Sequence, residues 1–152
     1  MTRTQALIMA TLGSALLLLG AWAFQHIGGL APCKLCIWQR WPHAFAVGIG
    51  ILALIAPRAE LLWFGAIAAL TTAGVGFYHV GVEQAWWQGP TTCSAAPIGG
   101  MSADALLDQI LTAPLVRCDD IAWQMLGLSM AGWNALLSFG LMCLWLEALR
   151  RA

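Results

Sequence analysis

The chain has 152 residues, of which 61% are hydrophobic and 9% charged, with no net charge. A water-soluble domain carries about a quarter of its residues as charges, so this chain cannot cover a water-facing surface and reads as a membrane protein surrounded by lipid. Zero net charge and the lack of a basic patch with interleaved aromatics exclude a nucleic-acid partner.

Charge-free gaps mark the elements in chain order. No Lys, Arg, Asp or Glu lies between Arg3 and Lys34, Arg40 and Arg58, Glu60 and Glu83, or Asp120 and Glu147. A helix needs about 20 mainly apolar residues to cross the hydrocarbon core, and only internally satisfied backbone survives there. Four spans are expected, at about 5–27, 41–57, 61–81 and 127–148. The expected fold is a single all-α membrane domain over 1–152, a bundle of four transmembrane helices with outer loops at about 28–40 and 82–126. The first run ends in "AWA", the form of a cleavage site, but is longer than the roughly 7–15 residues of a signal-peptide core. It is therefore expected to remain as a span.

The first loop holds "LAPCKLCIWQRWPHAF", with Cys33 and Cys36 three apart and Arg40 one turn further on. "PRAE" makes a tight turn between spans two and three. The long second loop opens with "WWQGPTTC", whose Trp86 and Trp87 suit the headgroup level. Within it, apolar residues 103, 106, 107, 110 and 111 follow helical spacing opposite Asp104 and Asp108. That pattern predicts a short helix lying on the membrane. With the N-terminus cytoplasmic, that side carries Arg3, Arg58, Arg150 and Arg151 against Lys34, Arg40 and Arg117 outside, a weak positive-inside bias.

Cys33, Cys36, Cys93 and Cys118 fall in the outer loops, and Cys143 lies deep in span four. An oxidising space outside the membrane preserves disulfides. Three chemistries stay open for the outer four: a redox relay, structural disulfides, or a zinc site. The 25-position gap between Cys93 and Cys118 does not fit the usual zinc spacing. Ile37 after the pair excludes c-type haem attachment. In favour of redox activity, a helix following the pair presents a partly positive end that favours a thiolate. Arg40, which keeps its proton, would share a helical face with Cys36. Cys143 is expected to be an inert small hydrophobe.

Three stretches in order, "PCKLCIWQR", "YHVGVEQAWWQGPTTC" and "RCDDIAWQMLGLSMAGWNALLS", resemble the DsbB family of bacterial inner-membrane disulfide bond formation proteins, and the likeness spans nearly the whole chain. The resemblance implies a protein-dithiol:quinone oxidoreductase with active loops in the periplasm and both termini cytoplasmic. It implies that Cys93 forms the mixed disulfide with a periplasmic thioredoxin-fold, DsbA-like oxidase and that Cys118 is its partner. It implies that Cys33 exchanges with the second loop, that Cys36 faces a bound quinone (ubiquinone or menaquinone), and that Arg40 supports the quinone. Gln39 departs from relatives that carry an acid there. Vitamin K epoxide reductase-like enzymes share the architecture, but carry their C-x-x-C late in the chain rather than early.

Ionisable groups near the membrane are functional candidates by default. His79 is expected to donate a proton or hydrogen bond to the quinone, or to pair with Glu83. Trp38 and Trp41 are candidates for lining the quinone pocket. His26 and His43 are expected at the interface, and Trp133 and Asn134 in helix packing and as polar glue. No metal is expected.

Overall fold

The computed structural model describes residues 1–90, 102, 104, 107, 111 and 116–152. Its long helices are α1 (Arg3–His26), α2 (Lys34–Ile55), α3 (Ala59–Glu83) and α4 (Met130–Arg150). Most of the short helix expected over 103–111 lies outside the described residues, as does Cys93.

Each helix starts where a side chain or a break in the apolar run dictates. Thr2 and Gln5 form a reciprocal capping box on α1. Cys33 caps α2, its sulfur accepting from the Cys36 amide at 3.2 Å. Ser129 caps α4 by accepting from the Gly132 amide at 3.1 Å. The cap at Cys33 makes residues 34–40 helical, where the sequence suggests a loop, and sets Cys36 within the first turn of α2.

The fourth helix starts later than the hydropathy suggests. Gln124–Met125 (β1) and Leu128–Ser129 (β2) form a two-stranded antiparallel hairpin, a small exception to an otherwise helical fold. Its tip needs positive φ at both turn residues, Leu126 at 53° and Gly127 at 78°. Trp133 Nε1 donates to the Met125 carbonyl at 3.1 Å and ties the hairpin to α4.

Among the described residues three helices, α1, α3 and α4, are long and apolar enough to cross a membrane. The helix α2, expected as the second span, is not among them by composition, because Lys34, Gln39, Arg40 and His43 crowd its first half. The outward faces are apolar, with Leu16 67% and Ile55 77% exposed. Such faces suit lipid rather than water.

The helices pack in a ring, α1 beside α2 and α4, and α3 beside α2 and α4. Their contacts fix opposite directions for successive helices. Arg40 of α2 reaches Gln25 and Ala21 at the end of α1, and Gly50 abuts Thr11 near its start. On α3, Gly76 faces Ala131 and Ala135 of α4, and Gly65 faces Trp145. The end of α1, the start of α2, the end of α3 and the start of α4 therefore meet at one end of the bundle. Alanines 6, 10, 46, 66, 69 and 148 line the core around a fully buried Trp145. Small residues let the backbones approach where lipid supplies no hydrophobic drive.

A Cβ at Gly65 would lie 2.5 Å from the Trp145 ring. Gly65→Val is expected to destabilise the bundle by about 1–3 kcal/mol, the usual cost of overpacking. Thermal unfolding in detergent, followed by tryptophan fluorescence, measures it.

Candidate functional site

The thiols gather at the end of the bundle where the four termini meet. Cys33 Sγ lies 2.7 Å from Cys36 Sγ and 3.6 Å from His79 Nε2. Cys118 is fully buried beside them. Its sulfur, that of Cys33 and a ring nitrogen of His79 all lie within 4.8 Å of one another. The hydrogen bond to Cys36, followed by burial, pushes the Cys33 thiol well above the ordinary thiol range.

The segment carrying Cys118 is held from both sides. Arg117 grips Asp119 with two bonds, Nε to Oδ1 at 2.9 Å and Nη2 to Oδ2 at 2.6 Å. That fork holds the Asp119 carboxyl below its usual range. On the inner side, the Cys118 carbonyl accepts from His79 Nε2 at 3.1 Å.

Below the thiols, a polar chain crosses the bundle. Gln39 Nε2 donates to the Leu35 carbonyl and to His79 Nδ1, each at 3.1 Å. Asn134 Nδ2 donates to Gln39 Oε1 at 2.8 Å and to Thr72 Oγ1 at 3.1 Å. Asn134 Oδ1 meets His43 Nε2 at 3.0 Å, with Ser138 Oγ 3.3 Å from the same nitrogen. The Thr72 hydroxyl donates to the Gln39 carbonyl at 3.1 Å. Pro42 within α2 removes the amide that would serve the Trp38 carbonyl, one residue before Gln39. Glu83 closes the upper side, 3.9 Å from His79 Nε2 and accepting from the Ser129 hydroxyl.

A cavity of about 440 Å³ opens against this chain. Its wall includes Cys33, Cys36, Gln39, Arg40, His43, His79 and Asn134, and otherwise mostly apolar residues such as Leu17, Phe24 and Trp123. The size and the few convergent polar groups suit a small-molecule site. Arg40 Nη1 donates to Gln25 Oε1 at 2.6 Å, which aims the guanidinium, and its buried Nε has no partner among the described residues.

The structure thus brings together Cys33, Cys36, Cys118, Arg40 and His79. It does not bring in the two tryptophans proposed from sequence. Trp38 is 46% exposed under Lys34, and Trp41 is 72% exposed beside Phe45 and Phe64, outside the cavity. Both lie off the face that carries Cys36, Gln39 and His43 at helical spacing. His43 is buried rather than interfacial, because Asn134 and Ser138 satisfy its Nε2 inside the bundle. Cys143 is exposed on the outer face of α4. Sequence reasoning passed over Gln39, His43 and Asn134 as site residues. Polar side chains inside an apolar segment, falling on the face of Cys36, were the available signal.

Residues 3–148 match the family described as Disulfide bond formation protein DsbB. The chain belongs to the DsbB family. A Disulfide bond formation protein B of Azoarcus sp. is 36% identical over 154 residues, covering 91% of this chain and 87% of the relative. That of Stutzerimonas stutzeri is 31% identical over 159 residues, covering 95% and 93%. That of Dechloromonas aromatica is 32% identical over 144 residues, covering 87% and 84%. No solved structure matches the chain. Membership of the DsbB family makes this a membrane oxidoreductase of disulfide formation.

Gln39 and Asn134 depend on each other. Gln39→Leu leaves His79 Nδ1 without its donor, at about 1–3 kcal/mol for a buried group left unpaired, and takes one acceptor from Asn134 Nδ2, which keeps its bond to Thr72. The double variant Gln39→Leu/Asn134→Leu is expected to lose less than the sum of the singles. Unfolding midpoints of all three in detergent measure the coupling.

Proposed function

We propose that this chain is a thiol:quinone oxidoreductase of the bacterial inner membrane. It reoxidises a periplasmic thioredoxin-fold, DsbA-like oxidase and delivers the electrons to ubiquinone or menaquinone. All four helices span the bilayer, both termini are cytoplasmic, and the thiol end faces the periplasm. One observation carries the reading: Cys33 touches Cys36 at 2.7 Å and lies within 4.8 Å of Cys118, while Cys36 lines the cavity. The sulfurs therefore form a path from the second loop into an apolar chamber.

The exchange balances at each stage. The partner's dithiol reduces a Cys93–Cys118 disulfide and leaves as a disulfide, with Cys93 as the sulfur attacked. Cys118, as thiolate, then attacks Cys33 of an oxidised Cys33–Cys36 pair and releases Cys36. Cys93 attacks Cys118, which restores the second-loop disulfide and frees Cys33. Two electrons and two protons have then reached the Cys33–Cys36 pair. Through this sequence His79, bonded to the Cys118 carbonyl and 3.6 Å from Cys33 Sγ, holds the two sulfurs in register.

The cavity fits a quinone ring in size and in lining, and its buried Arg40 nitrogen is unclaimed. A bound quinone supplies the two-electron sink, accepting two protons to leave as quinol. Cys36 faces that chamber. Arg40 presents a fixed positive charge where negative charge develops on a ring oxygen. The apolar wall keeps water away and strengthens that interaction.

A second reading has one observation behind it. Cys33, His79 and Cys118 are three buried donors of the type that hold zinc. A zinc-binding scaffold would contain the metal in stoichiometric amount and release it when the thiols are oxidised. The redox reading expects neither, and metal analysis of the purified protein before and after oxidation decides between them.

With a reduced thioredoxin-fold partner and a water-soluble quinone, the wild type is expected to form quinol and Cys36→Ser to fall to background. Arg40→Ala is expected to slow quinol formation about 10²-fold, the scale of losing one such stabilising group. It should leave formation of the mixed disulfide at Cys93 unchanged. Absorbance of the quinone and trapping of the mixed disulfide read the two steps separately, and an Arg40→Ala defect confined to the mixed disulfide would overturn the role given to Arg40.

A further inference from the structure

His43 carries a buried lone pair whose direction of bonding is set by groups far from it. The Leu35 carbonyl can only accept, so the Gln39 nitrogen faces it and the Gln39 oxygen faces Asn134. That oxygen draws the Asn134 nitrogen, leaving the Asn134 oxygen toward His43. An oxygen there needs a donor, so His43 Nε2 carries the proton. The neutral ring then has its acceptor at Nδ1. His79 obeys the same logic from the other side: Gln39 donates to its Nδ1, and its Nε2 donates to the Cys118 carbonyl.

His43 is 3% exposed, lines the cavity, and its Nδ1 has no partner among the described residues. On α2 it lies on the face of Cys36, two turns deeper, about 10 Å along the axis. A buried acceptor left without a donor is costly, so the cavity's occupant is the natural source of one.

We propose that His43 Nδ1 accepts a hydrogen bond from a ring hydroxyl of the cavity's ligand, so that the protein binds the quinol more tightly than the quinone. The proposal rests on the quinone reading given above. A quinone offers only carbonyl oxygens, and these cannot engage a bare lone pair. The quinol offers hydroxyl donors and can. Arg40, a donor alone, accepts either form. The two residues thus differ in what they recognise: Arg40 holds the ring in both states, and His43 distinguishes its oxidation state. Selective binding of the reduced form draws the bound couple toward quinol, and so draws electrons out of the Cys33–Cys36 pair.

The test is equilibrium binding of a short-chain benzoquinone and of its quinol, by tryptophan quenching, to the full-length protein in detergent. A Cys36→Ser background prevents electron exchange during titration. His43→Gln is the informative variant, since the glutamine amide keeps a donor toward Asn134 while its one acceptor, Oε1, stands at the end of the chain and not at the Nδ1 position. His43→Leu removes both and is compared only where its melting curve matches. The expected result is that the ratio of quinol to quinone affinity falls by about two- to tenfold in His43→Gln, the range a neutral hydrogen bond yields. Quinone affinity itself should hardly change. An unchanged ratio, or a larger loss for quinone than for quinol, overturns the assignment of His43 while leaving the quinone reading intact. Failure of the His43-intact protein to bind either form overturns both.

Discussion

The requirement that polar groups inside an apolar bundle be paired governs this structure. Gln39 is its pivot. The amide has one nitrogen and one oxygen, and the Leu35 carbonyl decides which faces which way. From that choice follow the orientation of Asn134, the proton position on His43 and the proton position on His79. These groups reside on α2, α3 and α4, so the chain also registers the helices against one another. In lipid, where burial of apolar surface does not favour helix association, such bonds and close backbone packing are the remaining sources of specificity.

The site's place follows from how the helices begin and end. Cys33 as a helix cap brings the thiol pair to the mouth of the bundle instead of leaving it on a free loop. The hairpin at 124–129 delays α4 and folds back over that mouth, with Trp123 and Met125 in the cavity wall. Ser129 then serves twice, capping α4 and donating to Glu83 of α3. A chamber that is roofed by the hairpin and open on the thiols is the outcome of these local stops, and none of them requires a catalytic role.

Much of this is legible in the sequence. The gaps between charges carry four helices because lipid excludes unpaired charge, and the residues flanking Cys33 and Cys36 carry the family likeness. The helical start at Lys34 is less visible, since cysteine is an uncommon cap and hydropathy alone places the boundary where the charges stop. The hairpin hides in "LGLSM", where alternation over so few residues resembles the start of an apolar helix. Trp38 and Trp41 mislead because proximity in sequence to the thiols is not proximity on a helix: they lie off the face of Cys36 and look outward. Gln39, His43 and Asn134 are each visible in the sequence, but not as parts of one site. Each is an ordinary packing residue by type, and only their convergence across three helices makes them a network.

The division of labour between Cys33 and Cys36 comes from the same geometry. Cys33 is 5% exposed and lies against His79 and Cys118, and the bond to Cys36 and burial push its thiol above the ordinary range. It is placed to exchange with a sulfur already beside it, and shielded from other reagents. Cys36 stands one turn into the helix, less buried and on the cavity wall with Arg40 one further turn along. A pair with equivalent environments would exchange with either side indiscriminately. Here Cys33 faces Cys118 and Cys36 faces the cavity, so on the proposed route the direction of electron flow would follow from where the chain caps its second helix.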